Sequence, residues 1–176
     1  MKVTIKSIVA LSALVATAIA PVVLSANRAS AEPMGTKANY IGVGVSAGVT
    51  NGGQVADAAN FGGNIQGRIT TDKAPVSLRG AILFNGDNTA IIPMVSYDVP
   101  ITNNANVYVA AGYSFAEKNG QPTPLGNADA PVVSVGAEAQ LGQNIVVYGD
   151  TKVGINAYEN SSASAVSIQA GAGVKF

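Results

Sequence analysis

The chain has 176 residues, a formal net charge of zero, and neither cysteine nor histidine. A neutral chain has no field of one sign with which to attract nucleic acid, so no nucleic-acid partner is expected. Without cysteine there is no disulfide framework or thiolate nucleophile, and without histidine the chain lacks the side chain best suited to general-base work near neutral pH. Twenty glycines and eight prolines favour many turns over long helices, and the length suggests one domain.

The start of the chain has the layout of a secretory signal peptide. Two lysines precede an apolar run from residue 8 to about residue 24, and a small-x-small site follows. The residues that define this cleavage site are Ala29, Ala31 and Glu32. We therefore expect export, a signal peptide at 1–31 and a mature domain at 32–176. Seven basic and ten acidic residues remain in that domain, so its net charge is −3. An uncleaved membrane anchor is the alternative, and Pro21 inside the apolar run argues against it.

The rest of the chain alternates between apolar and polar residues with a period of two, which is typical of strands with two unlike faces. Eight such segments follow one another: 40–49, 61–71, 76–85, 91–99, 107–115, 133–141, 147–156 and 167–176. Their length, about ten residues, suits a strand that crosses a membrane better than an ordinary soluble strand. The register of the fourth segment is the least regular, because Ile92 interrupts the alternation. After the signal peptide, the sequence has no apolar run long enough for a transmembrane helix.

The connections between these segments alternate in length. Short or moderate links at 72–75, 100–106 and 141–144 alternate with longer ones at 50–60, 117–130 and 158–165, while 85–89 is short where a long loop is expected. Short turns at one rim and longer loops at the other are typical of outer-membrane barrels. The polar loop 117–130 is expected to be mobile, as loops of such barrels generally are.

Glycines and aromatic residues indicate which face points inward. Eight glycines lie on the polar face, namely Gly42, Gly44, Gly48, Gly112, Gly136, Gly154, Gly171 and Gly173. A narrow eight-stranded barrel needs small residues inside. Aromatic residues on the apolar face fall near the strand ends: Phe61, Phe84, Tyr113 and Phe115 at the long-loop rim, and Tyr97 and Phe176 at the other. This spacing predicts two girdles at the membrane interfaces.

The charged residues of the strands all lie on the polar face. They are Arg68, Arg79, Asp98, Glu138, Asp150, Lys152 and Lys175. Because buried charges must be paired or hydrated, we expect an interior network in which Arg68 and Arg79 meet Glu138 and Asp150. Asp150 and Lys152 are expected to form a structural ion pair rather than a catalytic site. The alternative is a soluble barrel whose charges point outward to water.

The C-terminal segment GAGVKF has a final aromatic residue in alternation with other apolar residues. The residues concerned are Ile168, Ala170, Ala172, Val174 and Phe176. With the eight segments, this resembles the small eight-stranded outer-membrane β-barrels of the OmpA-barrel, OmpX and opacity-protein group. The resemblance implies an all-β, eight-stranded antiparallel up-and-down transmembrane barrel in the outer membrane. It also implies a monomer that contacts outer-membrane lipid, and whose last strand is read by the barrel assembly machinery.

Function is less well determined by the sequence than fold. No motif for a nucleophile, metal or cofactor is present, so we expect a non-enzymatic protein without cofactors and with a structural or surface-display role. Three alternatives remain open. They are a narrow porin-like channel, an adhesin that acts through its loops, and a secreted soluble β-barrel that binds a small apolar ligand.

Overall fold

A computed structural model describes residues 34–52, 60–71 and 74–176. The signal peptide expected at 1–31, with the cleavage residues Ala29, Ala31 and Glu32, lies outside these residues. Eight strands follow one another: β1 (Tyr40–Gly48), β2 (Phe61–Thr70), β3 (Val76–Phe84), β4 (Thr89–Pro100), β5 (Ala105–Ala116), β6 (Ala130–Leu141), β7 (Ile145–Gly154) and β8 (Ala165–Lys175). Among the residues described, no helix is long and apolar enough to cross a bilayer.

Each strand pairs antiparallel with the next, and β8 pairs with β1, so the sheet closes into an eight-stranded barrel. Closure leaves no strand edge with unpaired backbone groups, which is a condition for a sheet surrounded by lipid. The predicted fold class is therefore confirmed. The connections 71–75, 101–104 and 142–144 lie at one rim, called here the inner rim. The three longer connections and the short turn 85–88 lie at the other, called the outer rim.

The alternation of side chains follows the predicted faces. Val43, Val45 and Val95 point outward and remain more than half exposed, whereas Ser46, Asn64 and Gln66 are buried in the lumen. Ile92, which interrupts the predicted pattern of the fourth segment, points into the lumen and is fully buried. Its side chain belongs to an apolar layer inside the barrel. The alternation of apolar and polar residues does not predict this layer.

The seventh predicted segment ends earlier than expected. The strand stops at Gly154, and Asn156 adopts a positive φ of 55° that a strand does not accommodate. Conversely, β4 and β6 begin at Thr89 and Ala130, two and three residues before the predicted starts. Because β7 ends at Gly154 and β8 begins at Ala165, residues 155–164 form a loop at the outer rim.

Candidate functional site

Two arginines and two carboxylates form a closed group of ion pairs in the half of the lumen next to the inner rim. Arg68 lies 2.8 Å from Asp98 and 2.7 Å from Glu138. Arg79 lies 2.9 Å from each of the same two carboxylates. All four side chains are at least nine-tenths buried, and their charges sum to zero. We call these four residues the ion cluster.

Neutral side chains complete the hydrogen bonding of the ion cluster. The Nε atoms of Arg68 and Arg79 donate to the hydroxyls of Ser77 and Ser96, 3.0 and 2.8 Å away. Both serine hydroxyls in turn donate to Asp98. Glu138 also accepts hydrogen bonds from Tyr40 Oη and from Asn106 Nδ2, each at 3.2 Å. Buried charges need this degree of satisfaction to be tolerated, so the cluster is a built polar core.

A second charged pair lies beside the ion cluster. Lys152 Nζ contacts Asp150 Oδ1 at 2.6 Å and donates to Gln66 Oε1 at 3.1 Å. Tyr108 donates its hydroxyl to Asp150 at 2.7 Å. Arg79 lies over the Tyr108 ring, 3.5 Å from its centroid, so this ring joins the two charged groups.

One expected pairing is wrong. Arg68 and Arg79 meet Glu138 but not Asp150, whose place is taken by Asp98. Asp98 stands on β4, next to the strand that carries Arg79, whereas Asp150 is on β7 and is held by Lys152. The seventh predicted member of the network, Lys175, is half-buried near the inner rim and takes no part in the ion pairs of the described residues.

Two tyrosines fill the lumen against the seam between β1 and β8. The rings of Tyr40 and Tyr148 stack with centroids 5.8 Å apart. At the seam, Gly42 pairs with Gly173 and Gly44 with Gly171. A Cβ at Gly42 would lie 2.8 Å from the Tyr148 ring and 2.8 Å from the Ala172 oxygen. The interior glycines of these two strands thus give room to aromatic rings.

An apolar layer closes the outer end of the lumen. Strands contribute Leu83, Ile92 and Val132, and the loops contribute Leu125 and Tyr158. All five are at most 5% exposed. The sequence signal for this layer was weak, since the contributing strand residues stand singly on a mostly polar face. The loop expected to be mobile, around Leu125, is instead packed into the barrel mouth.

The loops of the outer rim are hydrogen-bonded to one another. Tyr158 donates its hydroxyl to the Thr50 backbone oxygen at 2.5 Å, and Ser161 donates to Gly52 oxygen at 3.2 Å. Asn127 and the following residue donate their backbone N–H groups to Ala157 oxygen, at 2.9 and 3.1 Å. The apolar layer and these bonds together form what we call the cap.

The outward aromatic residues lie as expected near the strand ends. Phe61, Phe84, Tyr97, Tyr113, Phe115 and Phe176 are all exposed on the outer surface. The rings of Tyr113 and Phe115 contact each other with centroids 5.0 Å apart. The C-terminal residues Ile168, Ala170, Ala172 and Val174 also face outward on β8.

A cavity of about 310 Å³ opens at the inner rim. Arg68, Asp98, Ser77, Thr36 and Asn106 are among the residues that line it. The N-terminal segment folds beneath the barrel here, because Thr36 N donates to Asn106 Oδ1 at 3.2 Å. No group of three or more possible metal-binding side chains occurs in the described ranges.

Comparisons with known proteins show the fold. No protein-family model matches the chain, and no curated protein matches it in sequence. The crystal structure of Ail, the attachment invasion locus protein of Yersinia pestis, superposes with a TM-score of 0.56 at 15% identity, covering 80% of this chain and 100% of Ail. Neisserial surface protein A gives 0.57 at 12% identity, with 78% and 97% covered. A de novo designed transmembrane β-barrel gives 0.53 at 14% identity, with 81% and 100% covered. The chain therefore has the fold of small transmembrane β-barrels.

Proposed function

We propose that this protein is an integral outer-membrane β-barrel, monomeric and non-enzymatic, that acts as a sealed structural pedestal and displays its loops at the cell surface. The signal peptide expected at 1–31 supports export. The observation that carries the proposal is the lumen, which side chains fill from the ion cluster to the cap.

The outer surface supports insertion into lipid. Its mid-strand positions carry aliphatic side chains such as Val43, Val95 and Val135, each 46–66% exposed. The strand charges described above lie in the lumen instead. An arginine or lysine facing lipid at the bilayer midplane costs about 2–4 kcal/mol, so this segregation is what a membrane barrel requires. A soluble barrel would bury its aliphatic face, which makes the secreted soluble alternative the poorer account.

Closure of the lumen argues against the channel alternative. Ions entering from the inner rim meet the ion cluster, whose carboxylates and guanidinium groups are already paired with each other. Beyond it, the rings of Tyr108 and Tyr148 and the apolar cap fill the remaining interior. Eight-stranded barrels have interiors just wide enough for side chains, and here the side chains occupy them.

The lumen also lacks the features of an active site. Ser134 and Lys152 are cross-strand neighbours, which is the kind of pair that a serine–lysine mechanism would need. Lys152 is fully buried and bonded to Asp150 and Gln66, so it is held as a structural cation beyond the reach of a substrate. A general base must be free to accept a proton within hydrogen-bond reach of its substrate.

The outer rim bears on the adhesin alternative. One solved structure is of Ail in complex with the heparin analogue sucrose octasulfate. In this chain the described loops of the outer rim carry four carboxylates, Asp87, Glu117, Asp129 and Glu159, against one lysine, Lys118. Like charges repel a polysulfated ligand, so surface display to a polyanion is not supported here.

The C-terminal strand supports delivery by the barrel assembly machinery. Val174 and Ala172 on β8, with Phe176 just after its end, form an outward apolar row that is exposed in the folded barrel. This partner is proposed from the resemblance stated above. Outer-membrane lipid is the other partner that the exposed aliphatic belt requires.

Electrophysiology tests the proposal. Purified mature protein reconstituted in planar bilayers is expected to produce no sustained single-channel steps, while its band on SDS gels shifts when the sample is boiled. The heat shift reports that the barrel is folded, so silence cannot be ascribed to unfolded protein. Stable conductance steps from heat-shifting protein would overturn the sealed-pedestal function in favour of the channel.

A further inference from the structure

The short outer turn at residues 85–88 lies directly beneath the long loop 117–129. Asn88 Nδ2 donates to the backbone oxygens of Lys118 and Gln121, each at 2.7 Å. Asn88 Oδ1 accepts from Lys118 N at 3.1 Å. Asn85 Nδ2 donates to Pro122 oxygen at 3.0 Å. The turn 85–88, which is short where the sequence pattern predicts a long loop, is thus hydrogen-bonded to the next loop of the outer rim.

The same loop carries an apolar tip into the barrel mouth. Thr123 and Gly126 exchange backbone hydrogen bonds of 2.7 and 3.2 Å, and Gly126 has a φ of 100°. This tight turn projects Pro124 and Leu125, which are less than 2% exposed, against the apolar layer. A glycine permits the left-handed backbone that brings the tip back on itself.

We propose that Asn85 and Asn88 form a latch that holds residues 123–126 as a stopper in the outer mouth, and that releasing the latch opens the upper lumen to water while the barrel stays folded. Three observations carry this inference. They concern the ladder, the ion cluster and the root of the loop.

The stopper contributes nothing to the strand ladder. Pairing between β5 and β6 ends at Ser114 and Ala130, so residues 117–129 lie wholly outside it. The bonds from the two asparagines go to loop carbonyls and are independent of the barrel hydrogen bonds. Removing them therefore affects the loop without affecting the closed sheet that holds the fold.

The ion cluster stays in place when the stopper leaves. Its members are bonded to strand residues and to Thr36, and none of the outer-loop residues that the structure describes takes part. The opened space is consequently a blind vestibule rather than a pore, with the Lys152–Asp150 pair near its floor. Small polar solutes could enter from the outside but not cross.

The root of the loop is anchored separately. The N–H groups of residues 127 and 128 both donate to Ala157 oxygen, which ties the root to the neighbouring loop. The glycine at 120, with a φ of 87°, precedes the stopper on its other side. The segment between these points can swing while its ends remain in place.

Thiol labelling tests the latch, because the natural chain has no cysteine. Ala81, 1% exposed beneath the cap, is changed to cysteine and the folded protein in lipid vesicles is treated with a membrane-impermeant maleimide. The substitution Asn88→Asp is then added to the Ala81→Cys protein. Aspartate keeps the oxygen acceptor of the turn but lacks the amide donor to the backbone oxygens of Lys118 and Gln121. The control is Asn104→Asp at the inner rim, where Asn104 Nδ2 donates to Gln140 oxygen at 2.9 Å.

The expected result is labelling about tenfold faster in Asn88→Asp than in the parent, since loss of a net 1.4 kcal/mol corresponds to a factor of ten in an opening equilibrium. Asn104→Asp should label at the parent rate. Trypsin cleavage after the exposed Lys118 should accelerate in the same variant. Equal labelling of the two variants, each with the heat shift of a folded barrel, would overturn the latch.

This inference rests on the sealed barrel proposed above, and the two fail in different ways. Channel conductance by the unmodified protein would contradict the proposed sealed barrel. Absence of conductance, together with a labelling rate of Asn88→Asp equal to that of the parent, would be consistent with the sealed barrel and would contradict only the latch.

Discussion

The guanidinium of Arg79 lies over the ring of Tyr108, and the hydroxyl of the same tyrosine donates to Asp150. One side chain therefore links the ion cluster to the Lys152–Asp150 pair. Because both charged groups are desolvated by the barrel wall, each depends on partners that the other holds in position. The polar half of the lumen is one coupled network, and coupled groups respond non-additively to substitution.

Arg79→Met should be among the most destabilising single changes in the lumen. Methionine replaces the apolar stem of the arginine but leaves the carboxylates of Asp98 and Glu138 with one guanidinium between them. Breaking a buried ion pair by removing one partner costs about 3–5 kcal/mol. The measurement is the free energy of unfolding by urea titration of the barrel in lipid vesicles.

The control for this change removes the opposing charge as well. Arg79→Met combined with Glu138→Gln leaves Arg68 and Asp98 as a balanced pair, so stability should recover in part. A double variant no more stable than Arg79→Met alone would mean that packing around the arginine stem, and not charge balance, dominates the loss.

The glycine seam between β1 and β8 should tolerate no side chain. A Cβ at Gly44 would overlap the backbone oxygen of Ala170 on the adjoining strand. Gly44→Ala is expected to lower stability by about 1–3 kcal/mol, the usual cost of overpacking. Gly80→Ala is the matched control, since a Cβ there meets nothing within 4 Å. Similar unfolding midpoints for the two variants would show that the seam can relax.

The alternation of apolar and polar residues was sufficient to predict the eight strands and their outward faces. One face of each strand meets lipid and the other faces a largely polar lumen. The outward positions of Val43 and Val95 follow from that contrast alone. Pairing inside the barrel depends on which side chains lie at the same height in the lumen, which alternation does not encode. The sequence therefore predicts Asp150 as a partner of the arginines, and this is wrong because Asp98 takes that place.

The cap could not be predicted from the sequence for a different reason. Ile92, Leu83 and Leu125 stand singly among polar or loop residues, so no local pattern marks them as a layer. Their contact exists only once the chain folds back over the mouth. Loop 117–129 reads as polar and turn-rich because most of its residues are, although its tip is buried.

Val95→Arg should distinguish a lipid environment from an aqueous one. Val95 lies in the middle of β4 and is 51% exposed on the outer surface. Facing lipid, an arginine there should lower the free energy of unfolding of the barrel in vesicles by about 2–4 kcal/mol. Val49→Arg, beyond the end of β1 near the outer rim, should cost much less because the charge reaches the interface. Equal, negligible losses at both sites would contradict the proposed membrane belt.

Phe176→Ala should separate assembly in cells from stability of the folded barrel. Phe176 is 71% exposed, and its backbone N–H donates to Asn39 oxygen at 3.0 Å, a bond that alanine retains. Little native packing is lost, so folding into detergent or vesicles from urea should change by no more than about 1 kcal/mol. Delivery to the outer membrane in cells should fall severalfold, measured as the heat-shifting fraction in isolated membranes. Phe61→Ala, which is equally exposed at 68% but far from the C-terminus, provides the control for loss of an interfacial ring. If both variants reach the membrane like the natural chain, the terminal aromatic residue serves as a girdle residue and the proposed recognition by the assembly machinery is wrong.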